Sequence, residues 1–265
     1  MSPSPSSPPA PRVAPDAWHA FGGVWRLTFR RFLAPGQWLP LFIVLAVLAV
    51  LASAVIRDGN ARQYYLWSSG FYLTFLVPIM VFLSSGGAIR DDLKSGSVDY
   101  VLIRPVRRPA YLVFKFLSHL ACFQVLCLLG LAVMIGVGIF RHIPGIFSAL
   151  PWLLLGQVIT VTAFAALGFL CGVITSKFLI VGLFYGAIIE GGVGNIPVQI
   201  NQLSMTHQVK AMLEPLLPLA RAGLVPETSP LAATGILLAF AALLLALAAA
   251  IFSVQELAGA RPTEA

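Results

Sequence analysis

The sequence predicts an all-α integral membrane protein, and three observations carry that prediction. Of its 265 residues, 58% are apolar and only 10% charged, whereas a soluble domain carries about 25% charged residues. Five stretches contain no Asp, Glu, Lys or Arg: residues 38–56, 66–89, 116–140, 147–174 and 231–254. Each is near or above the ~18 residues that read as a membrane helix. The net charge is +7, from 17 Lys and Arg against 10 Asp and Glu. In a membrane protein such an excess sits on the cytoplasmic side, so nucleic acid is not needed to account for it. The composition also excludes a disordered chain, a disulfide scaffold and a collagen-like fibre. Cys122, Cys127 and Cys171 all lie inside apolar runs, an odd count that reads as inert packing.

Residues 1–15 form a Pro/Ser/Ala tract with one Arg and no apolar core, which reads as a disordered tail and not as a signal peptide. Residues 16–34 have a different pattern. Trp18, Phe21, Trp25, Phe29 and Phe32 recur at spacings of 3, 4, 4 and 3. At ~100° per residue the rings share one arc of about 80°, and Arg26, Arg30 and Arg31 lie off it. The pattern predicts a helix lying in the interface plane, rings in the acyl boundary and arginines at phosphate level. A helix packed on the protein itself is the alternative.

The spans follow as one domain, residues 35–255, with a second tail at 256–265. Between the fourth and fifth charge-free stretches lie only twelve apolar residues, 178–189, before Glu190. The chain continues Gly191-Gly-Val-Gly-Asn195-Ile-Pro197-Val-Gln-Ile200, with no further charge until Lys210. This reads as a further span that starts at Lys177, carries Glu190 towards the far side and then breaks up. Six spans put both termini on one side. That side holds twelve cations: Arg12, Arg26, Arg30, Arg31, Arg90, Lys94, Arg104, Arg107, Arg108, Lys115, Lys177 and Arg261. The other side holds five: Arg57, Arg62, Arg141, Lys210 and Arg221. The asymmetry predicts cytoplasmic termini. A five-span chain moves only Arg261.

The loop between the second and third spans is the most informative segment. Gly96 permits a turn, and Ser97 is placed to cap a short helix at residues 98–103. Asp99 sits in its first turn, where the helix dipole favours an anion, and Pro105 ends it. Val98, Val101 and Leu102 make one small apolar face. Two turns are not stable alone in water, so this helix needs a surface to dock on, the bundle's own mouth or another protein. A basic loop that fixes topology and touches lipid phosphates is the other reading.

The run Asp92-Leu-Lys-Ser-Gly96-Ser97, then Leu102-Ile-Arg-Pro105-Val-Arg107-Arg108, then Lys115, resembles the cytoplasmic signature of type-2 ABC exporter permeases. That signature has an acid, a Gly-Thr pair, a helix ending in Leu-Leu, a Pro-Val-x-Arg turn and a Lys opening the third span. Asp92 replaces the usual Glu and Ser97 the usual Thr, which keeps the charge and the capping oxygen. The resemblance implies an amphipathic elbow helix anchored by Trp18, Trp25, Arg26 and Arg30, then six spans without a fused ATPase. It makes residues 98–103 the coupling helix, docking on a separate ATPase subunit. Asp92, Gly96, Ser97, Val98, Val101, Leu102, Pro105, Arg107, Arg108 and Lys115 then carry the coupling. It further implies an outer re-entrant gate between the last two spans, at residues 195–230, after a fifth span in which Gly182, Gly186, Gly191, Gly192 and Gly194 crowd together. Glu190, Gly191, Asn195 and Gln157 are the candidate gate and pathway residues. Glu190 has two readings, a functional acid at membrane depth or the end of a span at the outer interface. Gln124 and Gln157 likewise either bond between helices or line a polar path.

Other chemistry is missing. Gly172-Val-Ile-Thr-Ser-Lys177 lacks the second Gly before the Lys and has Phe178 where a Ser or Thr must hold magnesium. HExxH and GxSxG do not occur. His119 and Cys122 share a helical face, yet two ligands do not make a metal site. The expectation is therefore a non-enzymatic permease subunit in a bacterial inner membrane, moving a hydrophobic or amphipathic cargo. It binds no cofactor itself. ATP and magnesium sit on two copies of a partner ATPase, and a second permease subunit completes the pathway. An intramembrane lipid-acting enzyme and a membrane scaffold are the rivals. The first wants a cluster of ionisable groups at depth, and the second needs no Gly-broken span.

Overall fold

The computed structural model describes residues 17–94, 108–192, 202–216 and 228–254, and every regular element among them is helical. Hydrocarbon offers the backbone no hydrogen-bond partner, so an apolar, charge-free run satisfies its own peptide groups by coiling. In chain order these are α1 (Ala17–Phe32), α2 (Pro35–Val55), α3 (Ala61–Leu66), a π-helical stretch (Trp67–Leu76) and α4 (Val77–Lys94). Then come α5 (Arg108–Phe140), α6 (Ile146–Ile174), α7 (Phe178–Tyr185) with a second π-helical stretch (Gly186–Gly192), α8 (Met205–Met212) and α9 (Pro230–Val254).

Four helices are long and apolar enough to cross a membrane: Ala61–Leu93, Arg108–Phe140, Ile146–Ile174 and Pro230–Val254. Phe42–Val55 and Phe178–Gly192 are shorter apolar helices. Two of the expected spans start earlier than the charge-free runs suggested, at Ala61 and Arg108 instead of residues 66 and 116. The physical reason is that a helix does not stop where lipid stops. Asn60 caps α3 by accepting from the Gln63 backbone N–H at 3.0 Å, and Pro109 is tolerated in the unbonded first turn of α5.

α6 is the centre of the bundle, buried without interruption from Ala163 to Val173. Its closest neighbour is α4. A Cβ on Gly168 would lie 2.7 Å from the Phe82 carbonyl oxygen, and one on Gly172 would lie 2.7 Å from that of Gly86. Glycines four residues apart thus let two backbones meet, which is how helices associate when lipid removes the hydrophobic drive. Polar ties cross the same core. The Tyr72 hydroxyl donates to the Cys127 carbonyl at 2.8 Å. Gln157 is fully buried, and its amide nitrogen donates to the Tyr72 hydroxyl at 2.9 Å and to the Cys127 carbonyl at 3.1 Å. Gln124 Nε2 donates to the Val158 carbonyl at 3.0 Å. Both glutamines therefore bond between helices.

At the end of the bundle where α2 meets α3 and α5 meets α6, Arg141 pairs with Asp58 at 2.9 Å and donates to the Ser53 carbonyl at 2.5 Å. Gly59, at φ 67°, bonds its N–H to the Arg141 carbonyl at 2.8 Å. α8 packs near this end, against α9, α6 and the first π-helical stretch.

Candidate functional site

The opposite end of the bundle is where α4 finishes and α5 begins, the two roots of residues 95–107. Asp92, near the end of α4, is 4% exposed and Lys115 of α5 is 3% exposed. Lys115 Nζ meets Asp92 Oδ2 at 2.7 Å. Tyr111 precedes Lys115 by four residues, so both side chains share one face of α5. The Tyr111 hydroxyl donates to the same Oδ2 at 2.9 Å. Arg31, in the last turn of α1, donates to Asp92 Oδ1 at 3.3 Å and to Asp91 Oδ2 at 2.7 Å. Three helices thus converge on two adjacent carboxylates. A buried ion pair persists only when its remaining bonding capacity is filled, and here two cations and a phenol fill that of Asp92. The cluster ties the ends of α1, α4 and α5 together, with Arg31 and Asp91 its exposed members.

Of the motif residues, the structure brings Asp92 and Lys115 together, and Arg108 opens α5. Gly96, Ser97, Val98, Val101, Leu102, Pro105 and Arg107 lie outside the described residues, as do Asn195 and both tails. Arg31 and Tyr111 were not singled out from the sequence as members of the site. Tyr111 stands one helical turn before Lys115, the only sequence signal that pointed to it.

α1 forms as expected, and its contact face is Phe21, Val24 and Thr28. The Phe21 ring meets Phe114 of α5 edge to face, centroids 5.5 Å apart, and Val24 and Thr28 are buried. The aromatic row is therefore split. Trp18 and Phe29 are exposed, Trp25 is half-buried, and Arg26 and Arg30 are exposed. Arg31, expected among the phosphate-level arginines, is paired with Asp91 and Asp92 instead.

Glu190, in the second π-helical stretch beside Gly191, is held by the start of α8. Its Oε1 accepts from the Tyr185 hydroxyl at 2.7 Å and the Met205 N–H at 3.1 Å. Its Oε2 accepts from the Ser204 hydroxyl at 2.5 Å, from the Thr206 N–H at 3.0 Å and from the Thr206 hydroxyl. A carboxylate on unsatisfied N–H groups at a helix start is favourable for both dipole and bonding. Glu190 thus ties the broken segment to α8. It stands with Thr206 on the wall of a cavity of about 420 Å³ between α4, α6 and α7, whose other walls include Phe75, Phe82, Phe164 and Leu179. Gln157 lies in the helix interior described above.

Among the described residues no three His, Cys, Asp or Glu lie close enough to share a metal ion. Fold and site together define a multi-pass membrane protein with a braced helix junction. A family model described as ABC-2 family transporter protein matches residues 36–206. The chain belongs to that family of transporter membrane proteins. No individually curated protein matches it.

Proposed function

We propose that the chain is the permease subunit of an ABC exporter and that residues 98–103 are its coupling helix. In this reading a separate ATPase subunit, present in two copies, binds ATP and magnesium and docks on that helix. Two permease subunits enclose the path for a hydrophobic or amphipathic cargo. Six spans, with α2 and the α7 segment completing the four long ones, put both termini in the cytoplasm of a bacterial inner membrane. α1 is the elbow, with Trp18, Trp25, Arg26 and Arg30 at the interface. The α7–α8 segment closes the far side, where the cavity ending at Glu190 is the candidate cargo surface.

The observation that carries the reading is the braced junction at the roots of residues 95–107, in a chain of this family. A push on the loop reaches Asp92 and Lys115 first. Because those residues are bonded to each other and to Arg31, the displacement is shared by α1, α4 and α5 as one body, the rigid-element coupling that alternating access requires.

Val101→Asp puts a charge on the docking face, and Gly96→Pro removes the turn. Each is expected to release the ATPase from the purified membrane protein while membrane insertion and yield stay unchanged. Normal retention of the ATPase by both variants would contradict the coupling assignment.

A further inference from the structure

An open cleft of about 410 Å³ lies beside α1, lined by that helix, α2, α4 and α5. Arg31, Asp91 and Lys115 stand together at one end, and Val44, Met80, Leu83, Phe123 and Leu126 make an apolar body. Thr28 and His119 line it, and each carries a buried polar atom without a hydrogen-bond partner, Oγ1 and Nε2. The two residues are only 7% and 8% exposed. A second apolar groove of about 220 Å³, between α1 and α5, shares Phe32, Cys122 and Leu126 with the first and continues it to Leu129.

The combined shape has a polar mouth and a long apolar tail. From Lys115 the wall runs along α5 for about 16 Å to Leu126 and about 21 Å to Leu129, at 1.5 Å per helical residue. One leaflet of a ~30 Å hydrocarbon core is about 15 Å deep. An ion or a water cluster would leave the apolar groove empty, and a pure hydrocarbon would leave Thr28 and His119 unbonded. An amphiphile with one chain in the groove answers both.

The charges at the mouth narrow the class. Arg31 has five N–H donors, of which two serve Asp91 and Asp92, so it retains donors for a phosphate. Asp91, 55% exposed at its side chain, faces out beside it and suits an ammonium. We propose that this cleft binds one zwitterionic phosphoglyceride of the phosphatidylethanolamine type. Its phosphate lies on Arg31, its ammonium on Asp91, its ester oxygens at Thr28 and His119, and one acyl chain lies under α1. The lipid fills the seam between α1 and the bundle. The inference needs only the multi-pass membrane character of the chain, so loss of the exporter reading would leave it standing.

Native mass spectrometry of the full chain in mild detergent, with added phosphatidylethanolamine or phosphatidylglycerol, tests it. One phosphatidylethanolamine per chain is expected to survive detergent washing. Cys122→Trp, which fills the junction of the two grooves, is expected to cut its retention roughly tenfold, a change of about 1.4 kcal/mol. Leu243→Trp, on the exposed side of α9, should leave retention unchanged. Thr28→Val with His119→Leu should weaken it by a smaller factor. The reactivity of Cys122 gives a second readout that needs no bulky substitution. In a Cys127→Ala, Cys171→Ala background, phosphatidylethanolamine added to the delipidated protein should slow maleimide labelling of Cys122 several-fold. A wild-type chain that carries no lipid, or labelling indifferent to lipid, overturns the site. Equal occupancy by phosphatidylglycerol overturns the head-group assignment.

Discussion

Asp92 carries the most concentrated chemistry in the chain. Its carboxylate is nearly sealed from solvent, and Lys115, Tyr111 and Arg31 share its two oxygens. Removing Lys115 leaves the buried carboxylate only Tyr111 and the exposed Arg31, and breaking a buried pair costs about 3 kcal/mol. Lys115→Met is therefore expected to lower the melting temperature in detergent by roughly 5–10 °C, and adding Asp92→Leu to recover more than half of that loss. A Lys115→Met protein that melts within about 2 °C of wild type would contradict the brace. Both residues were legible in the sequence as parts of the loop motif. Their contact was not, because residues 23 positions apart across a loop carry no spacing that reports where two helix ends meet. The aspartate partners of Arg31 were hidden for a related reason. Periodicity says which side of α1 it leaves, and only the placement of α4 says that two aspartates wait there.

Helix packing sets which of the many glycines matter. Gly168 and Gly136 are both helical, and Ala normally stabilises a helix by up to about 1 kcal/mol relative to Gly. At Gly136 an added Cβ meets nothing within 4 Å, whereas at Gly168 it meets the Phe82 carbonyl oxygen at 2.7 Å. Backbone cannot swing aside, so the two substitutions are expected to have opposite signs. Gly136→Ala should raise or preserve the detergent melting temperature, and Gly168→Ala should lower it by several degrees, for an overpacking cost of about 1–3 kcal/mol. Equal effects would mean that α4 and α6 are not in backbone contact. The apolar runs made these helices legible as spans, but a run that is apolar all round does not say which face is buried. The same limit divided the aromatic row of α1. A ring suits lipid and protein equally, and Phe21 found Phe114 while Trp18 remained exposed. The glycine-rich fifth segment did announce its irregularity, and it is π-helical from Gly186 to Gly192. The Ser204 and Thr206 clasp on Glu190 was out of reach, since residues 14 and 16 positions apart carry no spacing that reports such a contact.

On the scale of the whole molecule, the two ends of the bundle are built differently. At one end the buried Asp92–Lys115 pair joins α4 to α5, and the more exposed Arg31 ties α1 to the same carboxylate. At the other end Arg141 pairs with Asp58 and α8 packs nearby, while the Glu190 cavity lies between α4, α6 and α7. In the proposed transport cycle the first end is the driven one and the second the closure. The proposed function also calls for partners, an ATPase subunit and a second copy of the chain. Native mass measurement of the complex purified in mild detergent tests this most directly. The account predicts two copies of the chain with two copies of an ATPase. A chain that purifies alone, under conditions that preserve other ABC complexes, would contradict it.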